Sequence, residues 1–242
     1  MDPRKAGPDA GGTAVTAPGT TPARSQPLPV VDGSQGNEAD AQKKSLHAAE
    51  QDSEAVRCAR IDWVAETSRI DPTQLIFLDE SGVTTEMTRR YGRARRGQRV
   101  GEGVPCGHWR TLTVLGAIAA SGWVSTMTIE SATDGDVFRA FLEQVLCPRL
   151  QPGNVVVMDN LPAHKVDGVR RLIEQRGARL HYLPACSPDF NPIEMCWSKF
   201  KQLLRRARAR SLATLQLAVA DALTAVTPHD IRGCFRHCGY AL

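Results

Sequence analysis

No run of about 18 or more consecutive apolar residues occurs, so nothing in the chain reads as a membrane span. Met1 to Ala10 is polar and lacks the apolar stretch of a secretion signal, so the expected location is the cytoplasm. Seven cysteines are scattered without one CxxC pair, which argues against a disulfide framework or a four-ligand zinc module and leaves buried free thiols. Residues 1–45 have no aromatic residue, are rich in Gly, Ala, Pro, Thr, Ser and Gln, and show neither the helical nor the strand period. Such text cannot bury enough apolar surface to fold and is expected to be a disordered, low-complexity tail.

What remains suffices for one domain. The 242 residues are 42% hydrophobic and 23% charged, close to globular averages. Charge is uneven: residues 1–70 hold eight Lys/Arg against ten Asp/Glu, leaving 22 basic and 16 acidic residues for positions 71–242. The basic excess belongs to the foldable part.

From Ser45 the text turns helical, with Val56, Ala59, Ile61, Val64 and Ala65 among charges, ending at Asp71-Pro72. This predicts a lead-in helix within 46–72, followed by the main domain over 73–242. Leu75 to Leu78 reads as a buried strand running into Asp79-Glu80-Ser81-Gly82. Thr111 to Ala119 and Trp123 to Ile129 form a hairpin around Ala120-Ser121-Gly122, completing an antiparallel three-strand meander. Helical spacing follows from Val137 to Leu146, with Asp134 or Asp136 as N-cap. Strand 154–158 ends at Asp159-Asn160; helix 164–176, capped by Gly177, leads to strand 180–183, a parallel strand-helix-strand unit. Ile193, Trp197, Phe200 and Leu204 share one helix face, and a last helical stretch spans 212–226. The fold class is α/β: a mixed sheet, the antiparallel meander plus parallel strands, flanked by helices.

Two apolar strands thus end in Asp79 and Asp159, and Glu194 opens a helix just after a third. Strand ends are where open α/β sheets place ligands. Three carboxylates brought together repel one another unless a cation sits between them, and hard divalent ions suit oxygen donors. Two such ions would drive an in-line phosphoryl transfer, which makes the substrate a polyanion. The basic residues agree. Arg89, Arg90, Arg93, Arg95, Arg96 and Arg99 fall within eleven residues, and Lys199, Lys201, Arg205, Arg206, Arg208 and Arg210 crowd the helix after Glu194 and its exit. Both clusters read as phosphate contacts.

Taken in order, Phe77-Leu78-Asp79-Glu80-Ser81-Gly82, Tyr91-Gly92-Arg93, Gly107-His108-Trp109, Val157-Met158-Asp159-Asn160 with His164, and Ser187-Pro188-Asp189-Phe190-Asn191-Pro192-Ile193-Glu194 resemble the mariner-type superfamily of DDE transposases, in its bacterial insertion-sequence branch. The 34 residues between Asp159 and Glu194 match that superfamily's spacing, and the likeness extends over roughly 50–240. It implies an RNase H-like catalytic domain in which Asp79, Asp159 and Glu194 bind two Mg²⁺ or Mn²⁺ ions. It further implies nicking of double-stranded DNA at transposon ends, strand transfer into a TA target, a homodimer on DNA and a place in the nucleoid. Two departures stand out. The helix-turn-helix modules such enzymes carry ahead of the core are replaced here by low-complexity text, and Ala185-Cys186 stands where Pro and an aromatic are usual. The competing functions are a non-catalytic DNA-binding remnant of a transposase and a generic RNase H-like nuclease.

Each residue also has a plainer reading. Asp79 and Asp159-Asn160 could be turn residues. Glu80 competes with Asp79, although neighbours on a strand face opposite sides, so only one can join the cluster. Asn191, Pro192 and Glu194 also fit N-cap, N1 and N3 of a capping box. Asp189 is a rival carboxylate suited to a turn, His164 a candidate structural or DNA-contacting residue, and the Arg run a solvated loop. Cys234, His237 and Cys238 make an incomplete zinc set. Trp109, Trp123 and Trp197 read as core.

Overall fold

A computed structural model describes residues 48–89, 91–165 and 168–242. The tail expected over 1–45 and Arg90 lie outside the described residues.

The element order is α1 (Glu54–Thr67), β1 (Leu75–Thr84), β2 (Thr111–Ala119), β3 (Gly122–Ile129), α2 (Gly135–Phe141), β4 (Val155–Met158), α3 (Val169–Glu174), β5 (Arg179–Tyr182), α4 (Pro192–Ala207), α5 (Leu212–Ala225) and α6 (Pro228–His237). The five strands form one sheet in the order β3-β2-β1-β4-β5. The β1–β2 and β2–β3 pairs are antiparallel, whereas β1–β4 and β4–β5 are parallel. This is the mixed sheet flanked by helices expected from the sequence.

Alternation along β1 sorts the two faces. Leu75, Phe77 and Val83 point into a core closed by α1, α4, α5 and α6, while Ile76 and Leu78 point into a second core under α2 and α3. The first core depends most on α4. Pro192 opens this helix with a fixed φ and no missing N–H partner, and Ile193, Cys196, Trp197, Phe200 and Leu204 fall on one buried stripe. Burying side chains of this size stabilises by about 1.5–3 kcal/mol each. Gly116 on β2 makes room for that stripe, because a Cβ there would lie 2.7 Å from the Trp197 ring and 2.9 Å from Trp123.

Several local expectations needed correction. β1 does not stop at Leu78 but continues to Thr84, because β2 supplies partners as far as Thr84–Thr111. The parallel pairing to β4 does end at Phe77–Val157, so Asp79 sits mid-strand, just beyond the point where one neighbour departs. The helix expected over 164–176 is described as a 3₁₀ turn, Pro162–Lys165, and the short α3. Past α3, Gly177 at φ 73° adopts the left-handed turn that leads to β5. Trp109 is 50% exposed and is not a core residue. α6 continues beyond the helical stretch read over 212–226, opened by a reciprocal Thr227–Asp230 capping box. Among the described residues, no helix is long and apolar enough to cross a membrane.

Candidate active site

Asp79 is buried among the apolar residues of the first core, and Trp197 Nε1 donates a hydrogen bond to its Oδ2 at 3.2 Å. Trp197 lies one turn after Glu194 on α4, so the helix that presents Glu194 also holds Asp79. Burial, then the negative charge of Glu194, with further contributions from Glu80 and Asp159, pushes the Asp79 carboxyl from its ordinary 3.8 up to about 7. Asp79 therefore lies within electrostatic reach of Glu194 and Asp159, and the Glu80 backbone N–H offsets only part of that repulsion.

Asp159 leaves β4 one residue after Met158. It caps its own turn by accepting from the Leu161 N–H at 3.0 Å. His164 Nδ1 lies 2.6 Å from Asp159 Oδ1, an ion contact without hydrogen-bond alignment. Burial alone would raise the Asp159 carboxyl, but the His164 contact, the Leu161 N–H and the charges of His164 and Lys165 outweigh it and hold it low.

His164 is fully buried and stacks on Phe138 at 4.3 Å. Its Nε2 reaches Glu80 Oε1 at 3.0 Å, so the ring bridges Glu80 and Asp159. Burial disfavours its charge, yet those two carboxylates raise it from 6.5 to about 9. Glu80 indeed faces the opposite side of the sheet from Asp79, as strand alternation requires, but it is tied to the site through His164. The pattern hid this link because residues 80 and 164 are joined only by the fold.

Glu194 is exposed, and the capping-box alternative is not realised. Asn191 makes no side-chain cap, its Oδ1 is buried without a partner among the described residues, and Glu194 meets Asn191 through the backbone, Glu194 N donating to Asn191 O at 3.1 Å. Asp159, Asn160, Asn191 and Glu194 line one cleft of about 360 Å³. Asp189, the rival carboxylate, is instead held by Arg60 at 2.6 and 2.9 Å.

The donors facing the cleft are hard oxygens, which fit a divalent cation in chemical kind. As placed, no three His, Cys, Asp or Glu side chains among the described residues come close enough together to hold an ion. Asp79 is engaged by Trp197, and Asp159 by His164.

The basic residues divide by surroundings. Arg89, Tyr91, Gln202, Arg205 and Arg206 line a second cleft, of about 560 Å³, that joins the Arg-rich segment to α4. Arg93, Arg95, Arg96 and Arg99 are exposed and Lys201 half-buried. Lys199 pairs with Asp230 at 2.5 Å, and Arg208 and Arg210 pair with Glu102 at 3.0 and 3.3 Å. Arg210 also donates to the Thr85 and Met87 carbonyls, tying the start of the Arg-rich segment to the α4–α5 corner. No zinc set assembles at Cys234, His237 and Cys238 among the described residues.

The sequence profile of the DDE superfamily endonucleases matches residues 74–216, more than half of the chain. The chain belongs to this superfamily. No curated protein sequence matches it. This DDE endonuclease is similar in fold to the Mos1 transposase in its paired-end complex with the left transposon end, at 14% identity and a TM-score of 0.63, over 83% of this chain and 64% of that one. The Mos1 strand transfer complex gives 14% and 0.64, over 83% and 63%. The Mos1 catalytic domain with raltegravir and Mg gives 13% and 0.52, over 81% and 96%. The chain thus spans just under two thirds of the Mos1 chains in the DNA complexes and nearly all of the catalytic domain. The shared fold is the RNase H-like one expected from the motifs.

Proposed function

We propose that this DDE endonuclease is a mariner-type transposase catalytic domain that cuts phosphodiesters of double-stranded DNA at transposon ends and transfers the strands to a TA target. Asp79, Asp159 and Glu194 form its metal-binding triad. The observation that carries the reading is Asp79. A carboxyl buried on a strand and within electrostatic reach of Glu194, Glu80 and Asp159 has its charged form disfavoured until a cation offsets it. The likeness to Mos1 chains solved with Mg and Mn supports the choice of ion.

Asp79, Asp159 and Glu194 would hold two Mg²⁺ or Mn²⁺ ions, whose chemistry is to activate a water or a 3′-hydroxyl and to stabilise the leaving oxygen. The chain's own residues do the rest. Trp197 keeps one Asp79 oxygen fixed, and Asp79 would offer its carboxylate to the ions. His164 holds Asp159 at the mouth of the cleft. Arg89, Arg205 and Arg206 flank the second cleft as phosphate contacts, with Arg93, Arg95, Arg96, Arg99 and Lys201 beside them and Lys199 available only by leaving Asp230. These contacts bind the backbone without reading sequence. Residues 1–45 as a tail, 46–72 as a lead-in helix and 73–242 as the catalytic domain, a homodimer on DNA and a place in the nucleoid belong to the same proposal.

Nicking of a supercoiled plasmid tests it, in Mg²⁺, Mn²⁺ or EDTA, with Asp79→Ala, Asp159→Ala and Glu194→Ala beside the wild type. Metal-dependent nicking should fall roughly 1,000-fold or more in each variant. Absence of nicking, with salt-sensitive DNA binding that survives all three substitutions, would make the chain a DNA-binding remnant.

A further inference from the structure

Glu194 is the one carboxylate of the proposed triad that no side chain holds: it accepts no hydrogen bond among the described residues, and Asn191 does not cap its helix. Its position therefore depends on the loop that delivers it. That loop is gripped from outside the segment matched by the superfamily profile, which starts at residue 74. Arg60 of α1 forks onto Asp189, Nη1 to Oδ1 at 2.9 Å and Nη2 to Oδ2 at 2.6 Å, and Nη1 also donates to Ser187 Oγ at 2.7 Å. Its guanidinium lies 4.2 Å above the Phe190 ring. One arginine thus engages three side chains in the four residues from Ser187 to Phe190, in the planar, bidentate manner that lysine does not reproduce.

Two further contacts complete the grip. Gln51 donates to the carbonyl of Cys186 at 3.0 Å, and Cys186 holds the unfavourable φ of 54°. On the other side, Tyr240 Oη donates to the Phe190 carbonyl at 2.8 Å and accepts from Trp63 Nε1 of α1 at 3.3 Å. Between this grip and Glu194 the chain is a series of tight turns: Phe190 N to Ser187 O at 3.2 Å, Asn191 N to Pro188 O at 3.0 Å, Glu194 N to Asn191 O at 3.1 Å. A displacement at Asp189 is passed to Glu194 with little slack.

We propose that Arg60 is a positioning residue of the active site: through Asp189, Ser187 and Phe190 it sets the place of Glu194, so that α1 is part of the catalytic unit. This rests on the reading of Glu194 as a metal ligand. Arg60 touches neither the ions nor DNA in this scheme and acts only through the loop.

The test uses the full chain as wild type, Arg60→Ala, Arg60→Lys, the exchange Arg60→Asp with Asp189→Arg, and Glu194→Ala. Mn²⁺ affinity is read from the electron paramagnetic resonance of free Mn²⁺, nicking from initial rates against plasmid concentration, and folding from thermal melts. Arg60→Ala should weaken Mn²⁺ binding about tenfold and lower kcat roughly 10- to 100-fold, with the KM for plasmid little changed. Arg60→Lys should fall between Arg60→Ala and wild type, and the exchange should recover a large part of both losses. A protein that merely lost stability would melt earlier yet bind Mn²⁺ normally in its folded fraction. Arg60→Ala with wild-type Mn²⁺ affinity and kcat, beside a Glu194→Ala that loses both, would overturn the positioning role alone. A Glu194→Ala that binds Mn²⁺ and nicks like wild type would overturn the triad reading, and this proposal with it. Should Arg60→Ala fail to fold, the exchange decides: folded but unrecovered, it counts against the proposal.

Discussion

Asp79 lies on β1 and Asp159 just past the end of its parallel neighbour β4, both beyond the last pair between these two strands, yet their carboxyls are driven in opposite directions. Asp79 is buried, meets only neutral donors, the Trp197 indole and the Glu80 backbone N–H, among the described residues, and lies near the charges of Glu194, Glu80 and Asp159, so it is raised to about 7. Asp159 sits at the open end of β4, half-exposed, against His164 and the Leu161 N–H, and is held below its ordinary value. The difference is one of neighbours: one side of the sheet has supplied Asp159 with a counter-charge and the other has left Asp79 without one. On the proposed reading, a cation would be held most strongly where protein charge is least compensated.

The comparison breaks first at the level of stability. For Asp79 the folded value, about 7, lies above the unfolded one, near 3.8, so its contribution is full below pH 4 and is lost as pH rises through 7. A gap of that size is worth at most about 4 kcal/mol. For Asp159 the folded value lies below 3.8, so its contribution is present above about pH 4 and is lost as pH falls through that lower value. In metal-free denaturant melts at pH 8, Asp79→Asn should therefore be more stable than wild type, by up to the same 4 kcal/mol. Asp159→Asn should be less stable, by about 1 kcal/mol, because its ion contact with His164 is partly screened by solvent. At pH 4 the gain in Asp79→Asn should vanish. Shifts of the same sign at pH 8 in both variants would mean that the two carboxyls share one environment.

How much of this could be read from the residues alone follows the same divide. The strands, the antiparallel meander and the parallel strand-helix-strand unit were legible, because apolar runs and turn residues are local signals; that β1 lies beside β4 was not. Asp79, Asp159 and Glu194 stood out because each interrupts or follows an apolar run at motif spacing. What joins them was not legible. Trp197 reads as core from its helical spacing, and nothing local says that its indole N–H faces a carboxylate 118 positions away. The His164 bridge to Glu80 and the Arg60 fork onto Asp189 likewise span 84 and 129 positions and exist only once the sheet and its covering helices are assembled. The extent of β1 was misread because Gly82 and Ser81 look like a turn, whereas pairing to β2 overrides that preference.

A smaller perturbation sharpens the contrast at Asp79 alone. Trp197→Phe keeps an aromatic ring on α4 but removes the indole N–H that Asp79 accepts beside the Glu80 backbone N–H, and with it the benzo edge that packs on Gly116. Without it the ionised carboxylate loses about 1–2 kcal/mol of support, so metal-dependent nicking should drop about tenfold. The loss should be partly recovered at higher pH or higher Mn²⁺, which both favour the ionised form. The Asp159 side should not respond. Nicking at the wild-type rate across pH 6–9 would show that the indole N–H does not govern Asp79.

The smallest effect lies farthest from the pair. Arg205→Ala and Arg206→Ala remove charges from the cleft shared with Arg89 without touching either aspartate. If each contacts one phosphate, the slope of log K against log salt should flatten by about 0.9 per residue, with affinity lowered several-fold at low salt and alike on any DNA sequence. Lys199→Ala, whose ammonium is already paired with Asp230, should change the slope much less. Fluorescence anisotropy with a labelled duplex from 50 to 300 mM salt measures all three. An equal change for Lys199 and Arg205 would place the DNA along the whole exposed face of α4, and the paired lysine would then have to exchange Asp230 for phosphate on binding.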